Sequence, residues 1–300
     1  MNTITKVALA GATGNLGSVV LNSLLQAGFE VTALTRQGST HSFPPSVKTA
    51  LVDYDSLESL TEALRGQDAV VSTISSAALD KQLLLVEAAA KSNVKRFIPS
   101  EFGSNTLNEK TSQLPCYANK IAALNALEKH AAAGTMSYTA VMTGPFLDWG
   151  IKFGLILNVK DRTANIYDGG DRLFSTTTLG TTGKAIAGVL LHPVETKNRA
   201  VFVQDTAVSP RQLLEKGKKA TGTPNEWKEN LISIDELVAR GWEEFGKEHP
   251  DPAKFYMNFI SASIWGDGYG AHFEKLDNEL LGIKQLTEDD VQSLVDGFAK

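Results

Sequence analysis

Along the first half of the chain, short apolar runs alternate with stretches in which apolar residues recur every three or four positions. Val7-Ala8-Leu9-Ala10 contains no polar residue and reads as a strand buried on both faces. Leu16, Val20 and Leu24, with Leu21 and Leu25 beside them, predict a helix over 15–27 that stops at Gly28. The same pattern predicts strands over 30–35, 48–52, 68–73, 96–99 and 137–143. Helices are predicted over 56–64, 80–92 and 117–133. Strand and helix in alternation require crossover connections, which are right-handed and yield a parallel sheet covered on both faces. The expected fold class is therefore α/β with a doubly wound parallel sheet, its ligands beyond the carboxyl ends of the strands.

After Gly150 the rhythm changes. Residues 151–178 mix short strands with glycine turns such as Asp168-Gly169-Gly170-Asp171. A helix over 184–191, a returning strand over 200–203 and helices over 210–221, 234–240, 253–264 and 288–299 follow. No glycine-serine linker separates the halves, so a second, smaller α+β lobe packed against the first is expected.

The junction of the first strand and first helix is Gly11-Ala12-Thr13-Gly14-Asn15-Leu16-Gly17. A turn this tight needs a residue that tolerates unusual φ, which Gly11 supplies. A side chain at Gly14 would obstruct a pyrophosphate approaching the backbone, and Gly17 lets the helix close onto the strand. The helix N-terminus then offers free N–H donors and the positive end of its dipole to phosphate. In this context the turn predicts a Rossmann-type dinucleotide site. NAD-preferring sites place a carboxylate about 20 residues further on to hold the ribose. Here the second strand ends Leu34-Thr35-Arg36-Gln37. A guanidinium suits a 2′-phosphate, so NADP(H) is the expected cofactor.

Composition narrows the classes. Of 300 residues, 42% are hydrophobic and 21% charged, as in an ordinary globular protein. The net charge of −5 gives no basic footprint for nucleic acid. The lone Cys116 cannot form an internal disulfide. No apolar run approaches the roughly 18 residues of a membrane span. The opening MNTITKVALAGATG lacks a long apolar signal core, so a cytoplasmic location is expected by elimination. The five histidines show no metal-ligand spacing, and neither HExxH nor GxSxG occurs. Thr287 with Asp290 reads as a helix N-cap and capping box. Trp265-Gly266-Asp267-Gly268-Tyr269-Gly270 is either a pocket-flanking loop or a plain turn.

Three segments carry a family resemblance: Lys95-Arg96-Phe97-Ile98-Pro99-Ser100-Glu101-Phe102-Gly103, the earlier Gln82, and Lys120 within Tyr-Ala-Asn-Lys-Ile-Ala-Ala-Leu. With these the chain resembles the NmrA-like proteins, and within them the isoflavone reductase-like group that includes the pinoresinol-lariciresinol and phenylcoumaran benzylic ether reductases. The resemblance covers residues 4–150 well and thins beyond. It implies an NADP-binding Rossmann domain over 1–150 and a mainly substrate-binding lobe over 151–300, with later segments returning to complete the sheet. It implies cofactor contacts from Thr13, Asn15 and Leu16 over the pyrophosphate and from Ser72 and Thr73 at the end of the fourth strand. Phe146 either borders the nicotinamide or simply packs in the core.

The resemblance also places a catalytic lysine at Lys120. Helical spacing puts Lys120, Leu124 and Leu127 on one face, with Tyr117 a turn earlier. Burial there would lower the amine's pKa toward neutrality. By position alone Lys120 reads equally as a lysine snorkelling from the helix edge. The Tyr-x-x-x-Lys spacing of many short-chain dehydrogenases is one residue short here, so Tyr117 is expected to be structural or pocket-lining. The expected activity is an NADPH-dependent reductase that transfers hydride to a small aromatic or conjugated substrate, with Lys120 as general acid/base. The alternative is a non-catalytic NADP(H)-sensing regulator of a protein partner, against which the presence of Lys120 speaks.

Overall fold

A computed structural model describes residues 3–299. In chain order the first half runs β1 (Lys6–Ala10), α1 (Asn15–Gln26), β2 (Glu30–Arg36), β3 (Lys48–Val52), α2 (Leu57–Leu64), β4 (Ala69–Ser72), α3 (Gln82–Lys91), β5 (Arg96–Ile98), α4 (Glu109–Ser112), α5 (Ala118–Ala132) and β6 (Ser137–Met142). The second half runs α6 (Leu147–Lys152), β7 (Thr163–Tyr167), β8 (Phe174–Thr176), α7 (Leu179–Leu191), β9 (Arg199–Phe202), β10 (Thr206–Val208), α8 (Pro210–Thr221), β11 (Lys228–Ile232), α9 (Ile234–Phe245), α10 (Pro252–Trp265) and α11 (Glu288–Gly297).

Seven strands form one parallel sheet in the order β3-β2-β1-β4-β5-β6-β9. The order reverses between β1 and β4, which opens a crevice at the carboxyl edge there. Alternate residues of β1 point to opposite faces. Val7 and Leu9 join the apolar layer under α1 and α7, whereas Ala8 and Ala10 join the layer under α2, α3 and α5. Burial on both sides explains why the strand carries no polar residue after Lys6. The returning strand expected over 200–203 is β9, which adds in parallel to β6.

Arg96 is a structural tie. Its guanidinium donates to the hydroxyls of Ser137, Thr139 and Thr196 and to the carbonyl of Pro193, joining β5, β6 and the segment after α7. Burial pushes it down to about 10.

A third apolar cluster lies outside the sheet, around Trp265 and Phe174. It is roofed by the parallel pair β7–β11 and the antiparallel pair β8–β10. A fourth cluster packs Phe255 and Phe259 of α10 against Leu114, Cys116 and Tyr117, just ahead of α5. This cluster joins the two halves.

Several boundaries differ from the sequence pattern. The helix expected to start at 184 starts at Leu179, capped by the Thr178 side chain. Within this helix Gly183 serves packing: a Cβ there would lie 2.5 Å from Ser23 Oγ of α1. The helix expected over 80–92 is a 3₁₀ turn, Ser76–Lys81, followed by α3. Tyr117 lies not in α5 but in the 3₁₀ turn Pro115–Tyr117 before it. The helix expected over 234–240 continues to Phe245. At the C-terminal end, Thr287 and Asp290 form the expected capping box on α11.

Candidate active site

The glycine turn takes its shape from three different constraints. Gly11 has φ +81, and a Cβ there would come 2.6 Å from the Thr73 carbonyl oxygen. A Cβ on Gly17 would collide with the backbone of Gly11, so only glycine lets α1 close onto the turn. At Gly14 a Cβ would meet only Gly11 O, at 3.4 Å, and would project into open space. Gly14 is the N-cap of α1, with no side-chain cap and no acidic residue in the first turn. The donors at this helix end are therefore left to an anion.

That open space belongs to a groove of about 990 Å³ along the carboxyl ends of β1 to β4. Gly11, Thr13, Gly14, Arg36 and Thr73 line it. Thr73 is fixed by its hydroxyl, which donates to Ala10 O at 2.8 Å. Asn15 is exposed on the first turn of α1, while Leu16 packs against the core beneath it. Ser72 is fully buried and its hydroxyl has no partner. Phe146 is half-buried at the N-cap of α6, packed against the core on the α1 side, and does not line this groove.

Two lining features escaped the sequence reading. Tyr54, just beyond β3, sits near Arg36, and burial pushes its hydroxyl up to about 12 against the pull of that guanidinium. Lys81 pairs with Asp55 across the same groove. A signal existed: β3 also ends at this edge, so the residues that follow it fall beside those that follow β2.

Lys120 lies on the first turn of α5, and the segment 100–103 connects it to the groove. Ser100 donates from its hydroxyl to Ile74 O, at 2.9 Å, and Ile74 lines the groove. The Ser100 N–H donates to Gln82 Oε1 at 2.7 Å, which accounts for Gln82 in the motif. One residue on, the Lys120 amine donates to the carbonyl oxygen of Glu101. Phe102 holds a positive φ of 28, and Thr143 and Gly144 N–H groups bond Gly103 O, so this turn is locked to the end of β6. A Cβ on Gly103 would stand 3.9 Å from Lys120 Nζ.

Lys120 is half-buried, while Leu124 and Leu127 on its face are fully packed. Burial lowers its pKa, opposed by Glu101 and Cys116. Tyr117 is buried, and its hydroxyl closes a ring with Ser104 at 2.9 Å and Ser263 of α10 at 2.7 Å. Burial raises it, so it stays neutral. The loop 265–270 is held against α4: Asn108, Lys110 and Thr111 side chains donate to carbonyls of Gly268, Asp267 and Tyr269. No cluster able to hold a metal ion occurs among the described residues. No helix among them is long and apolar enough to cross a membrane.

The profile of the NmrA-like family matches residues 3–234. The chain belongs to the NmrA-like family. It is 34% identical to oxidoreductase aprR of Aspergillus flavus over 95% of this chain and 97% of the relative. Against oxidoreductase poxI of Penicillium oxalicum the identity is 30%, over 97% and 93%. Among solved structures, the leucoanthocyanidin reductase–NADPH complex from Vitis vinifera superposes with a TM-score of 0.78 at 20% identity, covering 97% of this chain and 99% of that one. An isoflavone reductase structure gives 0.76 at 18% identity, over 97% and 99%. As a member of the NmrA-like family, the chain is an oxidoreductase of the isoflavone reductase-like group, and its seven-stranded parallel sheet has the isoflavone reductase fold.

Proposed function

We propose that this oxidoreductase is an NADPH-dependent reductase of a small aromatic or conjugated substrate, with Lys120 delivering the proton. What carries the reading is one piece of geometry. The lysine amine is held by the carbonyl of Glu101, in the same short turn whose Ser100 anchors the wall of the glycine-lined groove. The groove suits a dinucleotide: its glycine at the helix mouth leaves room that a side chain would fill, and its N–H donors are uncapped. Gly11, Thr13, Gly14, Asn15, Leu16 and Gly17 would shape the pyrophosphate site, Arg36 would take the 2′-phosphate, and Ser72 and Thr73 would stand toward the nicotinamide end. The Vitis vinifera relative was solved with NADPH, which supports the same cofactor here.

When bound, NADPH supplies hydride to an electrophilic carbon. Lys120 then has one task. As an ammonium it gives a proton to the oxygen that gains charge, and it is left as a neutral amine. Burial lowers the pKa of this amine, which makes release of that proton easier. Residues 151–300, with the loop at 265–270 pinned to α4, would supply most of the substrate enclosure.

The test is Lys120→Ala assayed with aromatic enones, quinones and benzylic ethers. Turnover should fall by about two orders of magnitude or more while NADPH affinity holds. Undiminished turnover would remove Lys120 from the mechanism. NADPH binding without oxidation in the presence of any of these compounds would favour a sensing role instead.

A further inference from the structure

Lys120 makes no ion pair within 4 Å among the described residues, yet the residue whose carbonyl holds its amine carries a buried carboxyl group. Glu101 is 1% exposed, one of the least accessible charged residues in the chain. Its Oε2 accepts from the hydroxyl of Thr106 at 2.7 Å. Its Oε1 is buried and has no hydrogen-bond partner. A buried carboxyl oxygen without a partner is costly, and such a cost needs an explanation in the site.

The surroundings leave one candidate. Besides Glu101, the titratable groups that bear on Lys120 are Cys116 and Tyr117, both from the turn that leads into α5. Burial pushes the Cys116 thiol up to about 12 and raises the Tyr117 hydroxyl. Both are neutral through the physiological range. Of the three, only Glu101 can present a negative charge to the amine. Against the burial of Glu101, Lys120 favours its charged form, and the Thr106 O–H directed at the carboxylate favours it further. Burial of Glu101 and of Lys120 works the other way, toward the neutral forms of both. Either arrangement of the proton leaves the pair with no net charge, so the two groups titrate together.

The position of Glu101 is also fixed by more than packing. Its backbone carbonyl takes the lysine's hydrogen bond, and the next residue, Phe102, sits at a φ that non-glycine residues seldom adopt, held by its N–H to Val141 O. The turn therefore holds the lysine by its main chain, and the buried carboxyl of the same residue bears on it through charge.

We propose that Glu101 is a positioning residue for Lys120: its buried carboxylate, on the residue whose carbonyl holds the amine, sets how tightly the lysine holds the proton it delivers. The proposal rests on Lys120 being the proton donor. Glu101 does not line the groove, and it acts only through the lysine.

The decisive variant is Glu101→Gln. It keeps the shape, the backbone carbonyl and an oxygen for Thr106, and removes the charge. Two readouts report on it. One is the ¹³Cε resonance of Lys120 in lysine-labelled protein without cofactor, assigned by its disappearance in Lys120→Arg and followed against pH. The other is the basic limb of the turnover–pH profile with NADPH and whichever enone, quinone or benzylic ether is reduced. The sign follows from the chemistry: without the carboxylate the ammonium is less favoured. The resonance midpoint, and the pH at which turnover is lost, should both fall by about one unit or more, the size expected for losing an opposite charge at close range. At a pH between the two limbs, turnover should drop about tenfold while the KM for NADPH holds.

Thr106→Val is the second variant, and it serves if the first fails to fold. Losing its hydroxyl makes Glu101 easier to neutralise, so the Lys120 midpoint should move down by a smaller step. A midpoint that stays put or rises in these variants overturns the proposal. The two readings fail separately. Full turnover in Lys120→Ala ends the proton-donor reading, whereas an unmoved midpoint in an enzyme that needs Lys120 ends only the role of Glu101.

Discussion

At the scale of single residues, the glycines of the turn show how one residue type meets unlike demands. Gly11 answers a positive φ, Gly17 a close approach of helix to turn, and Gly14 leaves an opening. Arg36 stands at the rim of that opening, with the half-buried Tyr54 nearby. An arginine fork gains most from a phosphate dianion and little from a ribose hydroxyl. NADPH should therefore bind about tenfold or more tightly than NADH, roughly 1.4 kcal/mol, and Arg36→Ala should bring the two close together. Titration calorimetry with both nucleotides checks this. Equal losses for the two in the variant would separate Arg36 from the phosphate.

At the scale of elements, α7 shows packing overriding local propensity. Its sequence, LGTTGKAIAGVLL, carries glycines that weaken an isolated helix by roughly 1 kcal/mol each relative to alanine. They are kept because α7 lies against α1 on one side and against the 280s on the other. A Cβ on Gly183 would meet Ser23 Oγ at 2.5 Å and Val19 O at 3.2 Å, and one on Gly188 would meet Leu281 O at 3.1 Å. Gly183→Ala should thus destabilise the protein by about 1–3 kcal/mol despite its better helix propensity, as overpacking does. Ser23→Ala in the same chain should return part of that loss. Denaturant unfolding of the single and double variants measures both, and a more stable Gly183→Ala would show that the helices part without strain.

At the scale of the whole molecule, strand order decides where chemistry is done. The reversal between β1 and β4 opens the groove, and the PSEFG turn at the end of β5 carries the groove wall across to α5 and its lysine. The opposite edge of the sheet is clamped by Asp68. It accepts from the N–H groups of Thr5 and Lys6 and pairs with Lys95 at 2.6 Å, tying the start of β1 to the turns before β4 and β5. Burial works against its ionisation, but the bonds from Lys95, Lys6 and Thr5 outweigh that and hold the carboxyl below its ordinary value. A folded-state pKa below the unfolded one gives stability that is complete above the unfolded value, about 3.9, and is lost as pH falls through the folded value. Asp68→Asn should be less stable than the parent at pH 7, by about 1–3 kcal/mol. The gap should close as the pH drops below 4. A gap independent of pH, in thermal melts across that range, would assign the loss to shape rather than charge.

The sequence by itself determined the α/β class and the strands of the first half, because runs buried on both faces and helices buried on one write their period directly into the residues. It also marked the glycine turn and the PSEFG string, since these depend on neighbours along the chain. Tertiary structure alone decided the rest. Whether Gly183 breaks a helix or seats one depends on Ser23, far away in the chain. Whether Tyr54 reaches the groove depends on β3 lying beside β2. What Glu101 does depends on an amine nineteen positions on and a threonine five positions on, brought together by a turn that the spacing does not reveal. Periodicity records which side of an element is buried, but the partner buried against it comes from elsewhere in the chain, and no local pattern carries that information.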